Sequence, residues 1–336
     1  MHLVEQYLRA CRIDIERAAP DAPAATSVFF GGGTPSLVPA DQLMSVLGAI
    51  PRARGAEVTV ECNPDTVTPE LFDTYRAGGV TRISLGVQSM VPHVLTALGR
   101  THDPHNVQRA VELARAVGFE SFNLDVIYGG AGETLGDWRR TLDAVLELDP
   151  PHVSAYALTV EAGTPLADDT ARHPDDDDQA DKYLLATELF AAHGRGWYEI
   201  SNWATPGHEC RHNFLYWTQG EYLGIGCAAH AHRDGRRWWN VRTPERYVDA
   251  IEHDRSPEAG SERLDDAARE LEGLQLALRT IHGVPASALP DDDDLVELIN
   301  VGDDGRARLT INGRLLADEV ALRLRHPIAT AGSSIT

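Results

Sequence analysis

The chain has a single lysine, Lys182, and 30 basic residues face 51 acidic ones for a formal net charge of −21. An acidic balance of that size excludes general nucleic-acid binding and docking on anionic membranes, which both need a basic face. No stretch approaches the ~18 consecutive apolar residues of a membrane span. The opening segment MHLVEQYLRACRIDIERAAP interleaves acids with arginines, so it lacks the basic start and apolar centre of a secretory signal. Cytoplasmic residence is the resulting expectation. Cysteine is scarce too. Cys11, Cys62, Cys210 and Cys227 are spaced too widely and unevenly for a disulfide framework or a tight thiolate cluster. The near-absence of lysine reads as genomic composition bias. The aspartate runs at 175–178 and 291–294 read as solvated loops and not as metal sites, because adjacent carboxylates repel one another and seek water.

What is present is a repeating strand and helix pattern. Leu3, Val4, Tyr7, Leu8, Cys11 and Ile15 recur at helical spacing and predict an opening helix. SVFF is a strand, followed by a helix over 41–50 and a strand over 57–62. Thr68 caps the next helix with Pro69 in its first turn, and Gly78-Gly79 stop it. RISLGVQ, SFNLDVIYG and HVSAYAL are further strands, separated by helices over 91–98, 105–117 and 134–148. Strands and helices alternating at this pace indicate βαβ units and a parallel sheet. A (β/α) barrel places its working residues at the C-terminal ends of the strands; a doubly wound open sheet is the competing architecture. A βα chain that begins with a helix lacks its first strand. Three regions follow from composition: a barrel over 1–170, a Trp-, His- and Gly-dense extension over 171–243, and a C-terminal module over 244–336. The last is small, α-rich and winged-helix-like.

Polar and glycine signals gather at the strand ends. GGGTP, holding Gly32, Gly33 and Thr34, follows SVFF. It is neither a phosphate loop nor a dinucleotide fingerprint, and alone it fits a tight turn as well as a binding loop. Glu61, Gln88 and Asp125 close or lie within three successive strands, and Arg100 follows a helix. Carboxylates so placed accept hydroxyl or ammonium groups, and glutamine reads polar edges. Any one of them also fits a satisfied structural residue; the set on one rim favours a ligand.

FFGGGTPS, ECNPD, RISLGVQS, LGRTHD, NLDVIYG and HVSAYALTVEAGTPL occur in this order. In that combination, through the closing GRLLADEV, the chain resembles the family of oxygen-independent coproporphyrinogen III oxidase-like and HemW radical-SAM proteins. The resemblance implies a partial (β/α)6 radical-SAM barrel. It implies S-adenosylmethionine contacted by Gly32, Gly33 and Thr34, with Glu61, Gln88, Arg100 and Asp125 lining the rest. It also implies a 4Fe-4S cluster held by a C-x3-C-x2-C loop, and this chain has no such motif. The loop belongs after a first strand, so Met1 is expected to be an internal start, through misassignment or truncation.

HNFLYW, residues 212–217, resembles the HNxxYW motif of the haem-chaperone branch and implies His212 as haem ligand. A neutral imidazole suits haem iron, and aromatics pack on a porphyrin face; without the resemblance, a core histidine among aromatics is the favoured reading. His208, Cys210 and His212 with Cys227, His230 and His232 form no common zinc spacing. The implied function is haem binding and transfer to an acceptor protein. The alternatives are an oxygen-independent coproporphyrinogen III dehydrogenase, which decarboxylates propionate side chains, and a degenerate barrel with a structural role.

Overall fold

The computed structural model describes residues 2–100, 103–164 and 166–325. It opens with α1 (His2–Ala18) and proceeds through β1 (Ala25–Phe30), α2 (Ala40–Ala49), β2 (Arg52–Cys62), α3 (Pro69–Gly78) and β3 (Arg82–Gln88). There follow α4 (Pro92–Ala97), α5 (Pro104–Val117), β4 (Ser121–Tyr128), α6 (Leu135–Glu147), β5 (His152–Ala157) and α7 (Asp176–Ala192). The helix limits have local causes. Thr68 accepts from the Leu71 N–H and Gly79 turns left-handed after α3 at φ 96°, a conformation glycine adopts without a Cβ penalty. Thr134 and Asp137 form a reciprocal capping box at the start of α6.

The chain groups into two compact units. One is Ala24–Glu209; the other joins the N-terminal segment through Pro23 to the described residues from Cys210 onward. The composition-based divisions after residues 170 and 243 follow chain chemistry, whereas these follow compactness.

The Ala24–Glu209 unit is the expected partial barrel, a curled half-barrel sheet in the order β1-β2-β3-β4-β5-β7-β6, completed by β6 (Gly196–Glu199) and β7 (Asn202–Ala204). β1 to β5 are mutually parallel. β7 runs antiparallel to β5, and β6 antiparallel to β7. The predicted strand around WYEIS is therefore present, with an unpredicted short strand inserted between it and β5. Successive residues face opposite sides of a strand. One sheet face carries Val60, Ile83, Leu85, Val87, Leu124, Val126, Val153 and Trp203, all buried. It packs against helices; Tyr128 meets Trp138 of α6 with ring centroids 5.3 Å apart. The other face is polar and carries the site.

In the second unit come α8 (Arg211–Trp217), β8 (His230–Arg233), β9 (Arg236–Asn240), α9 (Pro244–Glu252) and β10 (Glu258–Arg263). The strands form the antiparallel sheet β10-β9-β8. α1 packs on α9, where Tyr247 donates to Asp14 at 2.6 Å. The C-terminal part holds α10 (Asp266–Leu278), then β11 (Val284–Pro285), β12 (Ile299–Val301) and β13 (Arg306–Leu309) in the sheet β11-β13-β12. Helices α11 (Ile311–Leu315) and α12 (Ala317–Ala321) complete it, in keeping with the strand, turn and helix read from the sequence.

The aspartate runs are not plain solvated loops. Asp175 caps α7 by accepting from the Asp178 N–H at 2.9 Å, and 176–178 occupy its first turn, where the helix dipole favours negative charge. Asp178 also pairs with Lys182 at 2.5 Å. In the second run, Asp292 and Asp294 pair with Arg323 at 2.6 and 3.5 Å.

Candidate functional site on the polar sheet face

The polar face is ordered by register. Glu61 on β2 stands beside Ser84 on β3, Ser84 beside Asn123 on β4, and Asn123 beside His152 on β5. The next row is Gly86, Asp125, Ser154 and Asn202. Parallel strands in register thus bring side chains from four or more separate segments onto one surface.

At its β1 edge the glycine loop is tied to Glu61. The Gly32 N–H donates to Glu61 Oε2 at 3.2 Å. A Cβ on Gly31 would lie 2.7 Å from Phe29 and 3.0 Å from the Glu61 carboxyl, so that position requires glycine. Gly32, at φ 100°, and Gly33 face open space instead. Burial, and then the nearby Asp125 charge, push the Glu61 carboxyl up to about 7, against the lowering effect of the Gly32 N–H.

Asp125 sits in the centre. Ser84 donates to its Oδ2 at 2.7 Å and the Asn123 carboxamide to its Oδ1 at 2.7 Å. Burial raises its carboxyl, and the Ser84, Ser154 and Asn123 hydrogen bonds draw it back down. Gln88 closes β3 at φ 62°, a left-handed backbone that costs a non-glycine residue about 1–3 kcal/mol. The β-bulge between Gly86 and Gln88 allows it, and a Cβ on Gly86 would strike the Gln88 carboxamide at 2.9 Å. The bulge therefore folds the Gln88 side chain back over the face. Thr34 is half-buried in the turn after the glycines.

The structure thus brings together Gly32, Glu61, Gln88 and Asp125. It does not bring Arg100 to them: that residue is exposed in the turn after α4, and its side chain makes no hydrogen bond or ion pair among the described residues. His212 belongs to the other unit, on α8. Its Nε2 lies 2.8 Å from the Tyr216 hydroxyl one turn on, and the rings meet edge to face at 5.1 Å. Tyr216 in turn stacks edge-on against Tyr222 at 4.7 Å and remains 42% exposed, enough ring surface to meet a planar ligand. Burial pushes its hydroxyl up to about 12, so it stays protonated.

Ser84, Asn123, His152, Ser154, Tyr156 and Asn202 were not singled out from the sequence. The signal was available: N-x-D in NLDVIYG and H-x-S-x-Y in HVSAYAL place polar residues at a period of two, opposite apolar neighbours. The four cysteines do not converge. Cys11, Cys62 and Cys210 are buried, Cys227 is half-buried, and among the described residues no three His, Cys, Asp or Glu side chains are placed to hold a metal ion.

Residues 9–145 match the Radical SAM superfamily. The heme chaperone HemW of Mycobacterium tuberculosis (strain H37Rv) is 42% identical over 338 residues, spanning 95% of this chain and 86% of that protein. Heme chaperone HemW of Bacillus subtilis (strain 168) is 32% identical over 94% of this chain and 90% of its own length. That of Escherichia coli (strain K12) is 38% identical over 74% and 68%. Among solved structures, the coproporphyrinogen III oxidase HemN of Escherichia coli, a radical SAM enzyme, superposes with a TM-score of 0.81 over 96% of this chain and 83% of its own. At 22% identity that likeness shows the fold alone. With the polar face, the glycine loop and the HNFLYW helix in place, and relatives matched over nearly the whole chain, the chain belongs to the HemW family of radical-SAM proteins.

Proposed function

We propose that this chain binds haem at the α8 segment around His212 and passes it to an acceptor protein, as a cytoplasmic chaperone, while its polar sheet face takes S-adenosylmethionine. The observation that carries the haem reading is the placement of HNFLYW. The six residues lie on one helix, with His212 and the exposed Tyr216 stacked one turn apart. An imidazole beside an exposed aromatic ring suits a planar metalloporphyrin, with nitrogen for the iron and apolar surface for the ring. Haem is cargo in this reading, and the curated relatives are named heme chaperones.

The polar face fits the adenosyl ligand. Gly32 and Gly33 leave open space where a backbone can approach closely, with Thr34 in the turn beyond. Glu61 and Asp125 accept ammonium or hydroxyl hydrogens, and Gln88 both donates and accepts. Arg100 joins this set through a rearrangement of its exposed turn, to meet a carboxylate. The family also implies a 4Fe-4S cluster. The chain's four cysteines do not fit one, since they match no cluster spacing and three are buried.

The test is a hemin titration of the full chain and of His212→Ala, followed at the Soret band. Saturable binding that the substitution weakens supports the reading. Equal binding by both proteins, or none by either, removes His212 as ligand and overturns it.

A further inference from the structure

Behind Asp125 lies a buried set of polar groups whose hydrogen positions are fixed once the Asp125 carboxyl is ionised. The Asn123 carboxamide nitrogen stands 2.7 Å from Asp125 Oδ1, 2.8 Å from Ser84 Oγ and 2.9 Å from Ser154 Oγ. An ionised carboxylate only accepts. The carboxamide must therefore turn its N–H groups toward Asp125, since the reverse placing would set two acceptor oxygens 2.7 Å apart. Asn123 Oδ1 then faces His152 Nδ1 at 2.7 Å. That oxygen also only accepts, so Nδ1 carries the hydrogen. Burial holds the His152 imidazole neutral. Its Nε2 is consequently bare and accepts the Tyr198 hydroxyl at 2.6 Å. His152, Tyr198, Asn123 and Ser154 are 1%, 2%, 4% and 2% exposed, so water does not compete for these bonds.

We infer that His152 is a positioning residue: in its Nδ1–H tautomer it locks the Asn123 carboxamide, which in turn aims the Asp125 carboxylate across the open sheet face. A carboxamide alone has two nearly equivalent orientations, and one of them would point an oxygen at Asp125. His152, presenting Nδ1–H to the carboxamide oxygen, holds the orientation that the ionised Asp125 selects, and the Tyr198 hydroxyl supplies the hydrogen that its bare Nε2 accepts. In a low-dielectric interior each misdirected donor or acceptor would stand unsatisfied. The inference rests on the reading of this face as the adenosyl-ligand site, because a carboxylate needs aiming only where a ligand meets it.

The test uses the full chain. Long-range proton–nitrogen correlation spectra of the wild type are expected to show His152 neutral with the hydrogen on Nδ1 at pH 7; the opposite tautomer overturns the inference without any substitution. The carboxyl titration of Asp125, read by carbon-13 resonances, is then compared in His152→Leu and His152→Asn. Leucine removes the donor, and the proton affinity of Asp125 should rise about tenfold, one pKa unit. Asparagine keeps a donor near the place of Nδ1 and should return it to within about twofold of wild type. Affinity for S-adenosylmethionine by calorimetry should fall in His152→Leu and recover in His152→Asn. A folded His152→Leu protein whose Asp125 titrates like wild type shows that His152 only fills space and overturns the inference. If the wild type binds no S-adenosylmethionine, the ligand reading fails, while the tautomer and the Asp125 titration still decide the positioning.

Discussion

The polar sheet face and the α8 segment hold their functional groups in opposite ways. Asp125 is fixed by neighbours on three strands, with Ser84, Asn123 and Ser154 all hydrogen-bonded to it, and those neighbours are themselves held by register and by His152. His212 sits on a helix of 7 residues with no buried member, and one of its partners is the half-exposed Tyr216. Strands that share a ladder over-determine every side chain between them, whereas a two-turn helix leaves its side chains adjustable. The first arrangement suits a ligand of fixed shape. The second suits cargo that must be taken up and released. Substitutions in the two regions should accordingly be felt in different quantities: folding stability in the first, ligand affinity in the second.

The largest effect belongs to the scaffold of the sheet unit. Lys182 is fully buried and bonded to Glu133 at 3.2 Å and to the Glu133 carbonyl at 2.9 Å. Lys182→Met strands the buried Glu133 carboxylate and should cost about 3–5 kcal/mol in urea unfolding. Hemin affinity of the folded fraction should not change. If it does, the two regions are not independent.

His212→Ala is expected to weaken hemin binding at least about tenfold, while shifting folding stability by no more than about 0.5 kcal/mol, as for a substitution outside the core. A large loss of stability with unchanged affinity would reverse the comparison.

Glu61 supplies a pH signature. Its carboxyl is raised to about 7 in the folded chain against 4.5 ordinarily, so between those values the folded chain keeps a proton that the unfolded chain has released. This contribution to stability is full below about 4.5 and is lost as pH rises through about 7. The urea midpoint should fall across that window, and Glu61→Gln should flatten the fall. A cationic ligand group, in contrast, should bind better above pH 7, where Glu61 is charged, than below it. An unchanged pH slope in Glu61→Gln would show that burial of this carboxyl has no energetic consequence.

The smallest effect is at Tyr216. Tyr216→Phe removes the hydroxyl that occupies His212 Nε2 and keeps the ring. Releasing a hydrogen bond of about 0.5–1.5 kcal/mol should tighten hemin binding roughly 2- to 10-fold. Weaker binding would mean that the hydroxyl acts on the haem and not on the histidine.

Much of the sheet unit was legible because its signals are local. Thr68-Pro69 and Gly79 mark the two ends of α3 by capping chemistry, and the glycine run and Glu61 announce strand ends, with Asp125 inside its own strand. The left-handed backbone of Gln88 was not legible, since nothing in glutamine asks for it; the bulge against β4 imposes it. The run at 175–178 was misread because repulsion between neighbouring carboxylates was weighed without the helix start and the buried Lys182 that receive them. Arg100 shares the rim motif in sequence but stands exposed in the structure, its side chain without a hydrogen bond or ion pair to the described residues, because its place depends on a turn outside any ladder.

The order of strands and helices, the polar rim and the family were determined by the sequence alone, because capping, period-two alternation and motif spacing act over a few residues. Only the tertiary structure decided which strands are neighbours, that β7 inserts between β5 and β6, and that α1 packs with α9 more than two hundred residues away. It alone also decided the hydrogen-bonded chain that runs from Tyr198 through His152 and Asn123 to Asp125. Those bonds join residues distant in sequence, and their directions follow from which donors and acceptors burial leaves with no alternative partner.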